Sequence, residues 1–294
     1  MTKAKAKPRF RRGLIFIKIL LSFILIIAIL FLDSNIRIVT SEYELFYSNL
    51  PESFDGFRIV LLADIHATEH GEDNRRLINR VEAANPDIIV IAGDLLDAYR
   101  RIPVRRQLQV AETLAAGLTP IAPVYFVTGN HEWDRRVGGP WALFEIMEEH
   151  GVTVLRNQHV RIQRGDEQVI LAGVDDPHGP ADMITPYDFV RRIHAAEGED
   201  SFIIMLAHRN QNLPLYSSLG VDLVLCGHAH GGIIRLPFTD GLIGPQREWF
   251  PTHTSGIYTM DNTHMVVSRG LGNYIWMPRF LNNPHLVVAV LRTG

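Results

Sequence analysis

The sequence is poor in cysteine, because Cys226 is the only one among its 294 residues. An intrachain disulfide and a zinc cluster of cysteines are therefore both excluded. Cys226 lies in an apolar run just before Gly227, which favours a buried, small hydrophobic side chain. A large charge of one sign is also missing, since the formal net charge is −3. Nucleic-acid binding through bulk positive charge is therefore not expected.

Internal repeats, low-complexity tracts and linkers are also missing after the N-terminal region. A chain of this length can form one domain or two. Because nothing divides the remainder, a single domain over residues 33–294 is the simplest interpretation.

A long apolar run near the N-terminus predicts a membrane-spanning helix. Every residue from Leu14 to Leu32 is apolar except Lys18 and Ser22. A helix of this length spans about 28 Å, close to the ~30 Å hydrocarbon core of a bilayer. The basic residues before it predict a cytoplasmic segment over residues 1–13, an anchor over residues 14–32 and an extracytoplasmic domain. These basic residues are Lys3, Lys5, Lys7, Arg9, Arg11 and Arg12.

Three other interpretations of this run compete with the anchor. The uninterrupted stretch Ile19–Leu32 is short enough for the apolar region of a cleaved secretory signal. The following residues, Leu32-Asp33-Ser34-Asn35, offer no small-x-small cleavage site, so an uncleaved anchor is favoured. Arg11-Arg12 before Gly13 also resembles a twin-arginine export signal, which stays open. A buried core helix is disfavoured by the adjoining basic cluster.

Apolar runs and amphipathic segments alternate along the rest of the chain. This alternation predicts an α/β domain built around largely parallel sheet. The predicted helices are Asn74–Ala84, Gln107–Leu118, Trp141–His150 and Pro186–Ala196. The predicted strands are Ile36–Tyr47, Arg58–Ala63, Asp87–Ala92, Pro123–Thr128, Val160–Ile162, Gln168–Ala172, Phe202–Leu206, Val221–Cys226, Ile233–Leu236, Gly256–Met260, His264–Ser268 and Leu286–Leu291.

Five short motifs with metal-ligand side chains follow the ends of predicted strands. Because the carboxyl ends of neighbouring parallel strands meet at one edge of a sheet, these side chains are expected to converge. Oxygen and imidazole ligands suit two divalent cations that share a carboxylate, and such a site is typical of phosphoester hydrolysis. The motifs are Asp64-Ile65-His66, Gly93-Asp94, Gly129-Asn130-His131, His208 and Gly227-His228-Ala229-His230.

On these motifs the chain resembles the calcineurin-like metallophosphoesterases, over residues from about Phe57 to Asn273. The resemblance implies a four-layer α–β–β–α sandwich with a dinuclear metal site, here preceded by one transmembrane helix. It implies that Asp64, His66 and His230 bind the first cation, that Asn130, His208 and His228 bind the second, and that Asp94 bridges them.

The resemblance also implies a catalytic pair. His131 is similar to the family histidine that meets the leaving-group oxygen without binding metal. Asp97, in Gly93-Asp94-Leu95-Leu96-Asp97, matches the acidic residue that orients this histidine and would favour its imidazolium form. Neither side chain is needed merely to hold metal, so their presence favours catalysis.

Two C-terminal segments resemble a membrane-attached bacterial branch of the family. They are Gly231–Phe238 and Ser268–Gly272. Three arginines are candidates for phosphate contacts, because a guanidinium group can bind two phosphate oxygens at once. They are Arg209, Arg235 and Arg269. His70 and His178 lie in predicted loops, are expected to be solvated, and are left outside the site.

The expected activity is metal-dependent hydrolysis of a phosphoester. A phosphodiesterase acting on a cell-envelope or lipid-linked substrate is favoured, because the anchor places the domain outside the cytoplasm. The alternatives are a pyrophosphatase acting on a nucleotide-sugar lipid at the cytoplasmic face and a non-catalytic metal-binding membrane scaffold. Two manganese ions are the preferred cofactor, with iron or zinc as alternatives. Besides substrate and bilayer, no nucleic acid and no obligate protein partner are expected.

Overall fold

A computed structural model describes residues 8–180, 183–236, 238–273 and 278–294. The predictions that concern Lys3, Lys5, Lys7 and Pro237 lie outside these residues. The helices are α1 (Pro8–Ile36), α2 (Arg75–Ala83), α3 (Val104–Leu118), α4 (Trp141–Glu149), α5 (Pro186–Glu197) and α6 (Leu213–Ser218). The strands are β1 (Val39–Tyr47), β2 (Arg58–Leu62), β3 (Ile88–Ala92), β4 (Val124–Val127), β5 (Thr153–Val154), β6 (Gln158–Arg164), β7 (Glu167–Gly173), β8 (Ile203–Leu206), β9 (Leu223–Cys226), β10 (Gly256–Met260), β11 (Thr263–Val267) and β12 (His285–Thr293).

These strands form two mixed sheets within the described residues. The first sheet has the order β1-β12-β2-β3-β4-β5, and the second has the order β10-β11-β9-β8-β7-β6. The central strands β2, β3 and β4 run parallel, as do β7, β8 and β9. All five residues of β3 are buried, as expected for a parallel strand that is covered on both faces. The prediction of a largely parallel α/β sheet is confirmed.

Three apolar layers hold the structure together. The middle layer lies between the sheets and includes Leu61, Val90, Val127, Leu206 and Leu225. Helices α2, α3 and α4 cover the outer face of the first sheet, and α5 and α6 cover the outer face of the second. The molecule is therefore a four-layer α–β–β–α sandwich, as predicted.

Helix α1 precedes the sandwich and is long enough to span a membrane. Its apolar part, Gly13–Ile36, has no buried residue in its most hydrophobic window. The C-terminal end of the helix is held by the domain, because Ser34 Oγ accepts a hydrogen bond from Leu281 N at 2.8 Å. Asn35 also exchanges two hydrogen bonds with the backbone of Arg279. The last residues of the helix are thus part of the domain surface.

Two predicted strands differ from the structure by more than their end residues. The first was expected to begin at Ile36, but the helix continues through Ile36 and the strand begins at Val39. The second, Ile233–Leu236, is not a strand, and only Ile234 forms a single bridge with Phe280. Its β-branched residues suggested a ladder, but glycines Gly231 and Gly232 turn the chain with positive φ just before it.

Candidate metal centre

The predicted ligands leave the carboxyl ends of central strands in both sheets. Asp64, Asp94 and Asn130 lie two or three residues after β2, β3 and β4 of the first sheet. His208 and His228 occupy the same position after β8 and β9 of the second sheet. Since the two sheets face each other across the apolar layer, their ends bring these side chains together at one edge of the sandwich.

The first group contains one ligand atom each from four side chains, all within 4.8 Å of one another: Asp64, His66, Asp94 and His230. His66 Nε2 lies 3.2 Å from His230 Nε2 and 3.8 Å from Asp94 Oδ2. His230 Nε2 lies 3.6 Å from Asp64 Oδ1. These atoms lie close enough together for a single cation to bind them.

The second group shares Asp94 with the first. His208 Nε2 lies 3.2 Å from Asp94 Oδ2 and 3.1 Å from His228 Nδ1. The other ring nitrogen of His208, Nδ1, lies 2.8 Å from Ala92 O. A hydrogen bond from Nδ1 to this carbonyl is common for metal-binding histidines, and it leaves Nε2 as the atom that could bind a cation once deprotonated. Asn130 lines the same cleft as Asp94 and His228.

The donor set fits two divalent cations. Asn130 Oδ1 and His228 Nε2 are buried and have no hydrogen-bond partner among the described residues. Buried polar atoms are normally paired, so the unpaired oxygen of Asn130, in the cleft that Asp94 also lines, indicates a missing partner. Oxygen and imidazole donors suit manganese, iron or zinc. The residues that could hold two cations are therefore Asp64, His66, Asp94 and His230 for one, and Asp94, Asn130, His208 and His228 for the other.

Burial keeps most of these histidines neutral. It lowers the pKa of His66 well below its usual value and that of His228 to about 3. Burial also raises the pKa of Asp64 to about 7. Burial alone would lower the pKa of His208, but the neighbouring Asp94 carboxylate raises it to about 10. Neutral imidazoles offer the free lone pairs that metal binding requires.

Several of these residues have a strained backbone. Asp64, His66, Asp94, His228 and His230 have φ values of 49°, 48°, 52°, 67° and 49°. A residue with a Cβ atom in this left-handed region costs about 1–2 kcal/mol. Such strain concentrates at functional sites, because it aims side chains that a relaxed loop would point elsewhere.

Two glycines allow the loops to approach one another. A Cβ atom on Gly129 would lie 2.2 Å from Asp94 Oδ1, and one on Gly227 would lie 2.5 Å from Asp64 Oδ2. Either contact would displace a carboxylate of the site. Gly227 therefore lets the backbone pack close to the ligands.

Glu132 fixes the loops that carry Asp94 and Asn130, and sequence analysis assigned it no role. Its carboxylate is fully buried and accepts hydrogen bonds from Asp94 N, Leu96 N and Gly129 N at 2.9, 2.9 and 2.7 Å. Burial and the charge of Asp94 raise its pKa to about 7. Glu132 therefore ties two motif loops together from behind the site. The signal was present as the fourth residue of Gly-Asn-His-Glu.

His131 faces the cleft, but its ring is held differently from the expectation. Its Nδ1 accepts a hydrogen bond from Ala98 N at 2.9 Å, and its Nε2 lies 3.8 Å from Asp94 Oδ2. Asp97 Oδ1 lies 3.8 Å from Nδ1 and instead accepts from Tyr99 N and Arg100 N. Asp97 thus shapes the turn that presents Ala98. An acceptor at Nδ1 places the proton on Nε2, toward the cleft.

The cleft beside the ligands has a volume of about 280 Å³. Tyr99 lies edge-on to His131 and forms part of its wall. Arg209 reaches the same wall, and Asp176 holds its Nε at 2.7 Å. His178 lines the cleft beside Arg209 and is largely exposed, as expected for a loop histidine.

The other candidate residues are hydrogen-bonded to the backbone or buried within the protein. Arg235 donates to the carbonyls of Gly231, Thr239 and Asp240. Arg269 is largely buried, which lowers its pKa to about 10. His70 is also buried, so the expectation that it is solvated was wrong.

Arg279 is a buried residue that sequence analysis did not single out. Its guanidinium donates to Arg269 O and Gly272 O, which holds the loop over Asp64. Gly272 N in turn donates to Asp64 O at 2.6 Å. A lone arginine in sequence is expected to be exposed, so no local pattern indicated this role.

The chain is similar to known proteins in family profile, in sequence and in structure. The profile described as Calcineurin-like phosphoesterase matches residues 57–232. A Bacillus subtilis (strain 168) protein, "Uncharacterized metallophosphoesterase YkuE", is 30% identical over 266 residues, which cover 87% of this chain and 86% of that protein. A Danio rerio protein, "Transmembrane protein with metallophosphoesterase domain", is 30% identical over 262 residues, covering 85% of this chain and 56% of that protein. The crystal structure of a dimetal phosphatase from Danio rerio has a TM-score of 0.47 at 12% identity, covering 74% of this chain and 88% of that one.

Proposed function

Because this chain belongs to the calcineurin-like phosphoesterase family, we propose that it is a membrane-anchored phosphodiesterase that uses two divalent cations. The observation that carries the proposal is the convergence of two ligand groups on one shared carboxylate, Asp94. The oxygen-rich donor set favours manganese, with iron and zinc as alternatives.

The proposed ligands divide as the two groups do. Asp64, His66 and His230 would hold one cation, Asn130, His208 and His228 would hold the other, and Asp94 would be shared by both. Two cations bound there would neutralise the phosphate charge and activate a water molecule for attack.

The chain's own residues would orient the substrate and support the departing oxygen. His131 Nε2 points into the cleft, so it can donate a hydrogen bond or a proton to the leaving group. Ala98 N donates to the other ring nitrogen of His131, and Asp97 shapes the turn that presents Ala98. Arg209 is braced by Asp176, and its Nη1 makes no hydrogen bond to a described residue, so it can contact a phosphate oxygen.

The substrate and the topology belong to the same proposal. The helix α1 is the anchor, with its basic N-terminus in the cytoplasm and residues 33–294 outside it. A domain held at the outer surface meets phosphodiesters of the cell envelope or of lipids. Protease treatment of intact cells tests this arrangement, because a protected domain would instead favour a nucleotide-sugar lipid at the cytoplasmic face.

The activity is tested with the full chain in detergent, stripped of metal and titrated with Mn²⁺. We expect metal-dependent hydrolysis of bis(p-nitrophenyl) phosphate that is nearly abolished in Asp94→Asn. The matched control is Asp166→Asn, which changes an exposed carboxylate in the turn between β6 and β7. A wild-type protein that binds two cations but hydrolyses neither diesters, monoesters nor pyrophosphate-linked lipids would be a scaffold.

A further inference from the structure

A continuous series of hydrogen bonds connects the end of helix α1 with a hairpin beside the cleft. Asn35 bonds the backbone of Arg279, and the next residue, Phe280, accepts from Arg235 N at 3.0 Å. Leu242 N then donates to Ile234 O at 2.8 Å, and Phe250 N donates to Leu242 O at 3.0 Å. The hairpin 242–250 therefore lies on the same side of the domain as the outer end of the helix.

Four large apolar side chains project from this region and are called the apolar rim here: Leu236, Phe238, Trp249 and Phe250. Phe238 is fully exposed, and Trp249 and Phe250 are each 66% exposed. The surfaces of soluble proteins rarely carry several large apolar side chains in one region. Such patches mark sites where another protein, a membrane or a ligand binds.

The hairpin also forms one wall of the cleft. Pro245 and Gln246 line the cleft together with Tyr99 and Asn130. A smaller cavity of about 160 Å³ shares His228 with the cleft and is bounded by Pro245 and Pro251. The apolar rim therefore stands at the mouth of the candidate metal centre.

Basic groups surround the other side of the helix end. A cavity of about 370 Å³ is lined by Ile36, Arg37, Arg76 and Arg80. Arg76 donates to Ile36 O at 2.6 Å, and Arg80 forms no ion pair with a described residue. If α1 crosses the bilayer up to Ile36, these guanidinium groups lie at the depth of the lipid phosphates.

We propose that the apolar rim enters the lipid leaflet that holds the outer end of α1, so that the metal cleft opens at the bilayer surface and takes its phosphoester from a lipid in that leaflet. This inference rests on the proposed membrane anchor and phosphodiesterase activity. The occupant of the rim is lipid rather than a protein, because the rim is continuous with the helix that the bilayer already holds. Tryptophan and phenylalanine beside arginine are also typical of the membrane interface.

The test places an environment-sensitive fluorophore on the rim of the full chain in phosphatidylcholine–phosphatidylglycerol vesicles. The native Cys226 is buried, so the label reacts with the cysteine introduced by Phe238→Cys or Trp249→Cys. Tyr187→Cys is the matched control, because it is an aromatic residue, 51% exposed, on helix α5. Since the label does not depend on turnover, this measurement stands even if the protein proves inactive.

The expected result is a blue-shifted, brighter emission at both rim positions relative to detergent, with no change at Tyr187→Cys. Unchanged emission at the rim in chains whose helix is inserted would overturn the proposal. An equal change at all three positions would also overturn it, because it would indicate general adsorption.

A second measurement tests delivery of the substrate. Hexadecyl p-nitrophenyl phosphate in the vesicles is compared with bis(p-nitrophenyl) phosphate in solution, in wild type and in Phe238→Ala/Trp249→Ala. We expect the vesicle-bound reaction to fall about tenfold or more and the soluble reaction to stay unchanged, since the lost apolar surface weakens only lipid contact. Equal losses, or none, would refute delivery by the rim. A wild type inactive on both substrates would refute the phosphodiesterase, while the fluorescence would still decide membrane contact.

Discussion

The substitution Glu132→Gln tests whether the loops behind the metal centre are held by one buried carboxylate. Glu132 Oε2 accepts from two backbone N–H groups and Oε1 from one, and the side chain is fully buried. Glutamine keeps one oxygen but places an NH₂ group against a backbone N–H. A buried donor left without an acceptor costs about 1–3 kcal/mol, and the remaining bonds weaken by about 1 kcal/mol each when the acceptor loses its charge.

Relief of the buried charge offsets part of this loss. Burial and Asp94 raise the pKa of Glu132 to about 7, so the ionised side chain is itself costly. We therefore expect the free energy of unfolding of the metal-free protein to fall by about 2 kcal/mol at pH 8, where the carboxylate is ionised. The affinity for Mn²⁺ should fall about 10- to 100-fold, because the loops that carry Asp94 and Asn130 lose their support.

Urea unfolding in detergent, followed by circular dichroism, and calorimetric titration with Mn²⁺ measure the two effects. A loss of about 2 kcal/mol lowers the urea midpoint by roughly 0.7 M. Glu199→Gln is the control, because the Glu199 side chain is 81% exposed. If Glu132→Gln matches this control in midpoint and in Mn²⁺ affinity, the carboxylate does not hold the loops and the reasoning is refuted.

Three further predictions concern side chains around the site. His131→Ala should lower turnover by about 10²–10⁴-fold while the Mn²⁺ titration stays unchanged; loss of metal binding would mean that His131 is a ligand. Burial lowers the pKa of His70 to about 4, so its contribution to stability is complete above pH 6.5 and is lost as the pH falls toward 4. Over this range, the free energy of unfolding of wild type should therefore fall by about 3 kcal/mol more than that of His70→Gln. If the urea midpoint changes equally in both proteins between pH 7 and pH 4, the prediction is wrong. Arg209→Met should raise KM for bis(p-nitrophenyl) phosphate about tenfold at unchanged Mn²⁺ affinity, and an unchanged KM would exclude a phosphate contact.

Much of the fold could be predicted from the sequence because burial leaves a local trace. The apolar run Ile88–Ala92 is buried along its whole length, and such runs reveal parallel strands without tertiary information. The predicted ligands could be placed near one another because each follows such a run. Ile233–Leu236 has a similar local composition, but the preceding glycines turn the chain and only one bridge forms.

The remainder depends on contacts between distant parts of the chain. The left-handed backbone of Asp64 and Asp94 is imposed by neighbouring loops, and no pattern of residue types predicts it. Arg279 is buried because it bonds carbonyls of the loop over Asp64. Glu132 was visible as part of a motif, but its partners lie on two loops and only the structure brings them together.

The candidate ligands come from two sheets that pack on each other across an apolar layer, and this gives that layer a second task. The widths of side chains such as Val127, Leu206 and Leu225 set how far apart the two halves of the ligand set stand. A core substitution that touches no substrate would therefore alter cation selectivity, because manganese, iron and zinc differ in the coordination geometry they accept. The selectivity of the site for one metal would then depend on the volumes of hydrophobic side chains in the interior as much as on the ligands themselves.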